Sequence, residues 1–266
     1  MDEATNNPVP EIFYDDIGKE DQVVVFLHGF LESSKIWNEY ADKLSSKYRV
    51  ILIDLPGHGK SSVVNDVHSM DMMAEEVRNI LEINGINKCV LIGHSMGGYA
   101  TMAFAKRFKH FLRGMVLFHS HAAADTEEQK KNRELTIRAV ENNHLDFISS
   151  FTPSLFAPEN REKYSSEIEW LKKMGKNMPV KGIVAALKGM RERDDHVGTL
   201  KKVNRPVLII GGDKDERIPV MKLKEQAMGE HIRLKIMENT GHMGFIEAKG
   251  ECFKEIRDFI QNCYKK

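Results

Sequence analysis

Short apolar runs recur along the chain at Val23–Leu27, Val50–Ile53, Cys89–Ile92, Met115–Phe118 and Pro206–Ile210, and Arg233–Met237 offers a last one near the end. Each has strand length and is rich in branched residues. Val23–Leu27 is continuous rather than alternating, as expected of a strand covered by helices on both faces. Ile12–Tyr14 predicts a short edge strand. Residues 1–10, with Asn6-Asn7-Pro8 and Pro10, have no periodicity and read as a loose lead-in.

Between these runs the apolar spacing becomes helical. Ile36 or Trp37, Tyr40 and Leu44 form one stripe, with Ser33 or Ser34 as its cap. Met73, Val77, Ile80 and Leu81 form another, closed by Asn84-Gly85. Tyr99–Phe108 is a run of small residues at helical spacing, and Phe245, Ala248, Cys252, Ile256 and Phe259 mark a helix at the end. Strands that alternate with helices predict a mostly parallel sheet flanked by helices. From Ala122 to Lys202 the strand signal stops, and charged helical segments punctuated by Pro153, Pro158 and Pro179 replace it. The expected organisation is therefore a core of residues 1–121 and 203–266, with residues 122–202 inserted as a helical cap. Phe147, Phe151, Leu155, Phe156, Trp170, Leu171 and Met174 would fill the cap and face the mouth of a crevice.

The chemistry is concentrated at Gly93-His94-Ser95-Met96-Gly97-Gly98, between the Cys89–Ile92 strand and the small-residue helix. G-x-S-x-G in that context describes a nucleophile elbow, whose glycines leave room for a tight turn that exposes Ser95. The simpler reading is a strand-to-helix turn with a capping serine. Other segments argue against it. Val23–Leu27 stops at His28-Gly29-Phe30, where a backbone N–H can face an oxyanion, and the later strands lead into Gly212-Asp213-Lys214-Asp215 and Gly241-His242. Ser, Asp, His is the chain order of one triad architecture and not of the chymotrypsin or subtilisin types.

With Asp54-Leu55-Pro56-Gly57-His58-Gly59-Lys60-Ser61 and Gly212 to Pro219 added, the motifs span the chain, which resembles the α/β-hydrolase superfamily of serine hydrolases. The resemblance implies the α/β-hydrolase fold, with Ser95 as nucleophile, His242 as base and the backbone N–H groups of Phe30 and Met96 as the oxyanion hole. The family pattern G-x-x-D followed by a proline fits Gly212, Asp215 and Pro219, so Asp215 is the expected acid and Asp213 the second choice. A serine at the elbow argues against haloalkane dehalogenases and epoxide hydrolases, whose chemistry needs a carboxylate there. The resemblance implies a small carboxylic ester or lactone as substrate. The alternatives are carbon–carbon bond hydrolysis or a lyase reaction on the same triad, or a ligand receptor with vestigial turnover. Some relatives carry an arginine that meets an acidic substrate, which makes Arg191 a candidate contact.

Composition narrows the class further. The 266 residues carry 39 basic and 39 acidic side chains, so no overall field favours nucleic acid or an anionic membrane. No apolar run approaches the ~18 to 20 residues of a membrane span, and the start lacks a basic-apolar-small signal pattern, so a cytoplasmic protein is expected. Cys89, Cys252 and Cys263 fall on apolar stripes without metal-ligand spacing and read as buried thiols. Met70, Met72, Met73 and Trp37 read as core. His119-Ser120-His121 has no further ligand at familiar spacing, so it is expected to line the pocket mouth rather than bind metal. Gly59-Lys60-Ser61 lacks the first glycine of a phosphate loop, where Asp54 stands. Neither metal nor cofactor is expected, and His58 reads as structural.

Overall fold

The computed structural model describes residues 11–265, so the lead-in assigned to residues 1–10 lies outside the described residues. The strands are β1 (Tyr14–Ile17), β2 (Val23–Leu27), β3 (Arg49–Ile53), β4 (Cys89–His94), β5 (Leu112–Phe118), β6 (Val207–Gly212) and β7 (Ile232–Met237). They form one seven-stranded sheet in the order β1-β3-β2-β4-β5-β6-β7. All neighbours are parallel except β1, which runs antiparallel to β3 at the edge. The predicted edge strand thus exists, shifted towards the C-terminus of Ile12–Tyr14.

Every residue of β2 is buried because helices cover both faces of the sheet. Val23, Val25 and Leu27 point to the side of α2 (Met70–Ile83) and α3 (Met96–Phe108), while Val24 and Phe26 point to the side of α1 (Asn38–Leu44) and α10 (Lys249–Tyr264). This two-residue alternation splits one uniformly apolar run between two cores. On the α1 side, Trp37 is fully buried beside Phe26, Tyr40, Phe118 and Phe245, and its Nε1–H donates to the Leu27 carbonyl at 3.2 Å. It is packing core, as its helical spacing suggests. Ser69 caps α2 by accepting the Met72 N–H at 3.1 Å, whereas Ser33 makes no side-chain cap bond at the turn before α1. The predicted C-terminal helix is interrupted. Ala248, at φ −126°, separates α9 (Gly244–Glu247) from α10.

Between β5 and β6 the chain is helical, with α4 (Glu127–Phe151), α5 (Ser165–Lys176), α6 (Val180–Arg191) and α7 (Val197–Lys202). A reciprocal capping box starts α4, in which Thr126 accepts the Gln129 N–H and the Gln129 side chain accepts the Thr126 N–H. The helix kinks at Asn143, whose φ −157° and ψ 89° are not helical. After β6 comes α8 (Val220–Gln226). No helix among the described residues is long and apolar enough to cross a membrane.

Candidate active site

The carboxyl ends of adjacent strands bring together residues far apart in sequence. Phe30 follows β2, Ser95 follows β4, His119 follows β5, Asp215 follows β6 and His242 follows β7. Open α/β sheets place their ligand crevices at this edge, where chain direction turns outward.

Ser95 sits at φ 49° and ψ −111°, a conformation costly for a residue with a side chain. The turn is held at both peptide ends. Ser95 N–H donates to Phe118 O at 2.9 Å, and Ser120 Oγ–H donates to Ser95 O at 2.8 Å. A Cβ on Gly97 would lie 2.6 Å from the His28 carbonyl oxygen, and one on Gly93 would strike the Gly97 carbonyl. The two glycines are needed because α3 starts against β2 and β4 with no space for a methyl. Met96 is the first residue of α3, so its N–H belongs to the turn of donors that a helix leaves free.

Ser95 Oγ lies 2.9 Å from His242 Nε2, and His242 Nδ1 lies 2.8 Å from Asp215 Oδ2. Asp215 and His242 are buried, while Ser95 is partly exposed. Asp215 Oδ1 accepts the N–H groups of Arg217 at 2.9 Å and Ile218 at 3.1 Å. Burial favours the neutral acid. Against it, the charge of His242 and the hydrogen bonds from His119 and His242 hold the carboxyl well below the usual carboxylate range. Asp213 instead accepts the Thr240 N–H at 3.1 Å and supports the loop before His242. Of the two aspartates, Asp215 is the one that reaches the imidazole.

A fourth side chain joins this group. His119 Nδ1 lies 3.0 Å from the same Asp215 Oδ2, and its ring is fully buried. Its sequence reading put both His119 and His121 at the pocket mouth. His121 does line the cavity, but His119 turns inward behind the acid, at φ 46° with its N–H donated to Ile210 O at 2.7 Å. Burial lowers the His119 pKa to about 4 against the pull of Asp215, so the ring is neutral and its Nδ1–H donates to the carboxylate. Its Nε2 finds no hydrogen-bond partner among the described residues and packs against Gly244. His119, Asp215 and His242 present ligand-type atoms within 4.8 Å of one another. Both Nδ1 atoms face one carboxylate oxygen at hydrogen-bond distance, so protons already occupy the positions where a cation would need lone pairs.

The cavity over Ser95 and His242 holds about 340 Å³. Phe30, Phe151 and Leu155 line one side of it. Gln129, Asn132, Arg133 and Thr136 line another, spaced so that one face of α4 supplies them all. Of the apolar residues expected at the mouth, Phe151 and Leu155 reach it. Phe147 stacks on Phe151 with ring centroids 5.1 Å apart, Phe156 and Leu171 are buried, and Trp170 and Met174 line a separate cavity beside Lys60 and Lys173. Arg191 is not among the lining residues, because Glu134 and Glu192 bind its guanidinium at 3.2 and 2.7 Å. Arg193 turns inward instead. It pairs with Asp125 at 2.6 Å and lies 4.0 Å from the Tyr99 ring that lines the cavity. His58 is buried with Nδ1 on Pro56 O at 3.0 Å, away from Ser95. Cys89 and Cys252 are buried and Cys263 half-buried, and burial raises the Cys89 and Cys263 thiols to about 12, so they stay protonated.

Fold and site together define a hydrolase enzyme. A family model described as alpha/beta hydrolase fold matches residues 22–249, and the chain belongs to that family. It is 28% identical over 236 residues to the bifunctional esterase/perhydrolase DCH of Acinetobacter calcoaceticus, covering 82% of this chain and 84% of that protein. A thermophilic esterase from Thermogutta terrifontis, solved with malate bound, superposes with a TM-score of 0.91 at 28% identity, over 96% of this chain and 95% of that one. The enol-lactonase from Burkholderia xenovorans LB400 shares the fold, with a TM-score of 0.87 at 20% identity over 95% of this chain and 97% of that one.

Proposed function

We propose that this enzyme hydrolyses small carboxylic esters or lactones through an acyl-enzyme on Ser95. The observation that carries the reading is the run of hydrogen bonds from Ser95 Oγ through the His242 ring to Asp215 Oδ2, open on its serine side to the cavity. Ser95 Oγ attacks the acyl carbon and gives its proton to His242 Nε2. Asp215 keeps the imidazole proton on Nδ1 and stabilises the cation formed. The backbone N–H groups of Phe30 and Met96 receive the tetrahedral oxyanion. On collapse the alcohol leaves with the proton from His242. Water then attacks the acyl carbon and passes a proton to His242, which returns it to Ser95 as the acid departs. The cavity volume fits a short acyl chain, and its polar side from α4 fits a small polar ester better than a long aliphatic one. Residues 122–202 act in this reading as the cap that sets substrate choice. Its resemblance over most of its length to two esterases supports the ester assignment.

A fluorophosphonate probe should label Ser95, with labelling abolished in Ser95→Ala, and p-nitrophenyl acetate or butyrate should be turned over faster than the octanoate. Labelling of another serine would remove the mechanism. Labelling of Ser95 without turnover of any ester would point instead to carbon–carbon bond cleavage or a receptor role.

A further inference from the structure

Behind the elbow lies a second buried acid–imidazole pair that the hydrolytic steps do not use. Glu32 and His94 are almost fully buried, and Glu32 Oε2 lies 2.9 Å from His94 Nδ1. The other ring nitrogen, Nε2, lies 3.1 Å from the backbone carbonyl oxygen of His242. Both nitrogens therefore face oxygens. A neutral imidazole has one N–H, so it would leave a lone pair aimed at an oxygen lone pair in a site closed to water. The neighbouring His28 shows the usual arrangement. Its Nδ1–H donates to Gly29 O at 2.7 Å, and its Nε2 accepts the Leu55 N–H at 2.9 Å.

We propose that Glu32 and His94 form a permanent carboxylate–imidazolium pair that positions the oxyanion loop, the elbow and the His242 loop relative to one another. This rests on the proposed roles of Phe30, Ser95 and His242. Glu32 Oε2 also accepts the Gly29 N–H at 2.5 Å, which places the negative charge on the carboxylate. Burial raises the Glu32 pKa, but the charge and hydrogen bond of His94 and the Gly29 N–H outweigh it, and the carboxyl titrates below its ordinary value. The Gly29 peptide is thereby held at both ends, immediately before Phe30. His94 adjoins Ser95 in sequence, and its second N–H reaches the His242 main chain. A Cβ on Gly29 would stand 2.8 Å from both Glu32 Oε2 and His94 Nδ1, so the glycine leaves the space the pair fills. The titratable groups facing the pair are His28, His119 with its ring 6.1 Å from that of His94, and His242 at 5.1 Å.

Long-range proton–nitrogen NMR of histidine-labelled enzyme reads the pair directly, with His94→Asn to assign the signals. Both His94 nitrogens should be protonated throughout about pH 6 to 8, where an ordinary imidazole titrates. Glu32→Leu should lower kcat and the Ser95 labelling rate by about 100-fold with KM little changed, as expected of a misplaced donor. Glu32→Gln can keep its amide oxygen where Oε2 stands and accept both the Gly29 N–H and the His94 Nδ1–H. It should recover most of that loss while its His94, without the carboxylate charge beside it, shows a bare Nε2. An unprotonated His94 nitrogen in the wild-type spectrum, activity of Glu32→Leu within about twofold of wild type, or a Glu32→Gln no better than Glu32→Leu would each overturn the proposal. If Glu32→Leu fails to fold, the wild-type spectrum and Glu32→Gln still decide. The spectrum needs no turnover, so it fails or succeeds independently of the ester assignment.

Discussion

Acidification is expected to loosen this fold, quite apart from any effect on the chemistry at Ser95. His58 and His119 are wholly buried, and burial lowers their pKa values from 6.5 to about 3 and about 4. At pH 5 both rings are neutral in the folded chain, whereas their unfolded counterparts have taken up a proton. The folded state binds fewer protons, so the contribution is complete above about pH 6.5 and is lost as pH falls towards the folded values. Each proton steepens the curve by up to about 1.4 kcal/mol per pH unit, so each histidine removes about 2 kcal/mol between pH 7 and 5, and the pair about 4 kcal/mol. That is a large part of the roughly 5 to 15 kcal/mol by which domains are stable. His28 and His121 are lowered too, chiefly by burial, and act in the same direction. Asp215 does not contribute in this window. Its depressed pKa stabilises the fold above the unfolded carboxyl value of about 3.9, and that stability is lost only at lower pH. Urea unfolding followed by Trp fluorescence at pH 7, 6 and 5, extrapolated to water, measures the loss. A change below about 1 kcal/mol across that range would refute the reasoning, because one buried neutral histidine alone should exceed it.

Asp215→Asn should lower kcat by about four orders of magnitude, since the amide must either present its NH2 to both His242 and His119 or turn it on the N–H groups of Arg217 and Ile218. Asp213→Asn, whose side chain accepts the Thr240 N–H and not a hydrogen bond from His242, should cost much less, and the reverse ranking in steady-state assays would exclude Asp215 as the orienting acid. Trp37→Ala should lose about 3 to 5 kcal/mol in urea unfolding while substrate ranking is kept, and a changed ranking would mean that Trp37 reads the ligand. Exchange of residues 122–202 for another helical insertion should alter which acyl chains are accepted, and a folded exchange with the parent's ranking would make the segment structural only.

Much of this architecture is legible because strand ends and motifs coincide. The apolar runs stop at the ends of β2 and β7 and just short of those of β4 and β6; His28-Gly29-Phe30 and Ser95 follow their strands at once, and Asp215 and His242 follow theirs a few residues on. What escaped the sequence depends on rotation rather than spacing. His119 and His121 are two residues apart just past the end of β5, yet the positive φ of His119 turns one ring behind Asp215 and leaves the other at the cavity. Arg191 and Arg193 differ likewise. Helix α6 ends at Arg191, so the chain bends and Arg193, not Arg191, points to Tyr99. Glu32 carried no signal, being one acid in an ordinary loop. An expectation that a buried carboxylate needs a partner arises only once its burial is known. The break at Ala248 was hidden because the apolar stripe continues across it.

The face of α4 that meets the cavity has a practical consequence. Gln129, Asn132, Arg133 and Thr136 lie on the half of the helix before the Asn143 kink, while Phe151 reaches the same cavity from the other half. The four are partly or fully exposed, and substitutions at such positions usually cost little stability. Arg133 and Gln129 are the exceptions, because the Arg133 bond to Asp125 and the Gln129 side of the capping box both anchor the helix start. One short stretch of helical surface can therefore be rewritten, residue by residue, without touching the sheet that aligns Ser95 with His242. For directed evolution that makes positions 132 and 136 a compact library, in which a change of accepted ester is separable from loss of the fold.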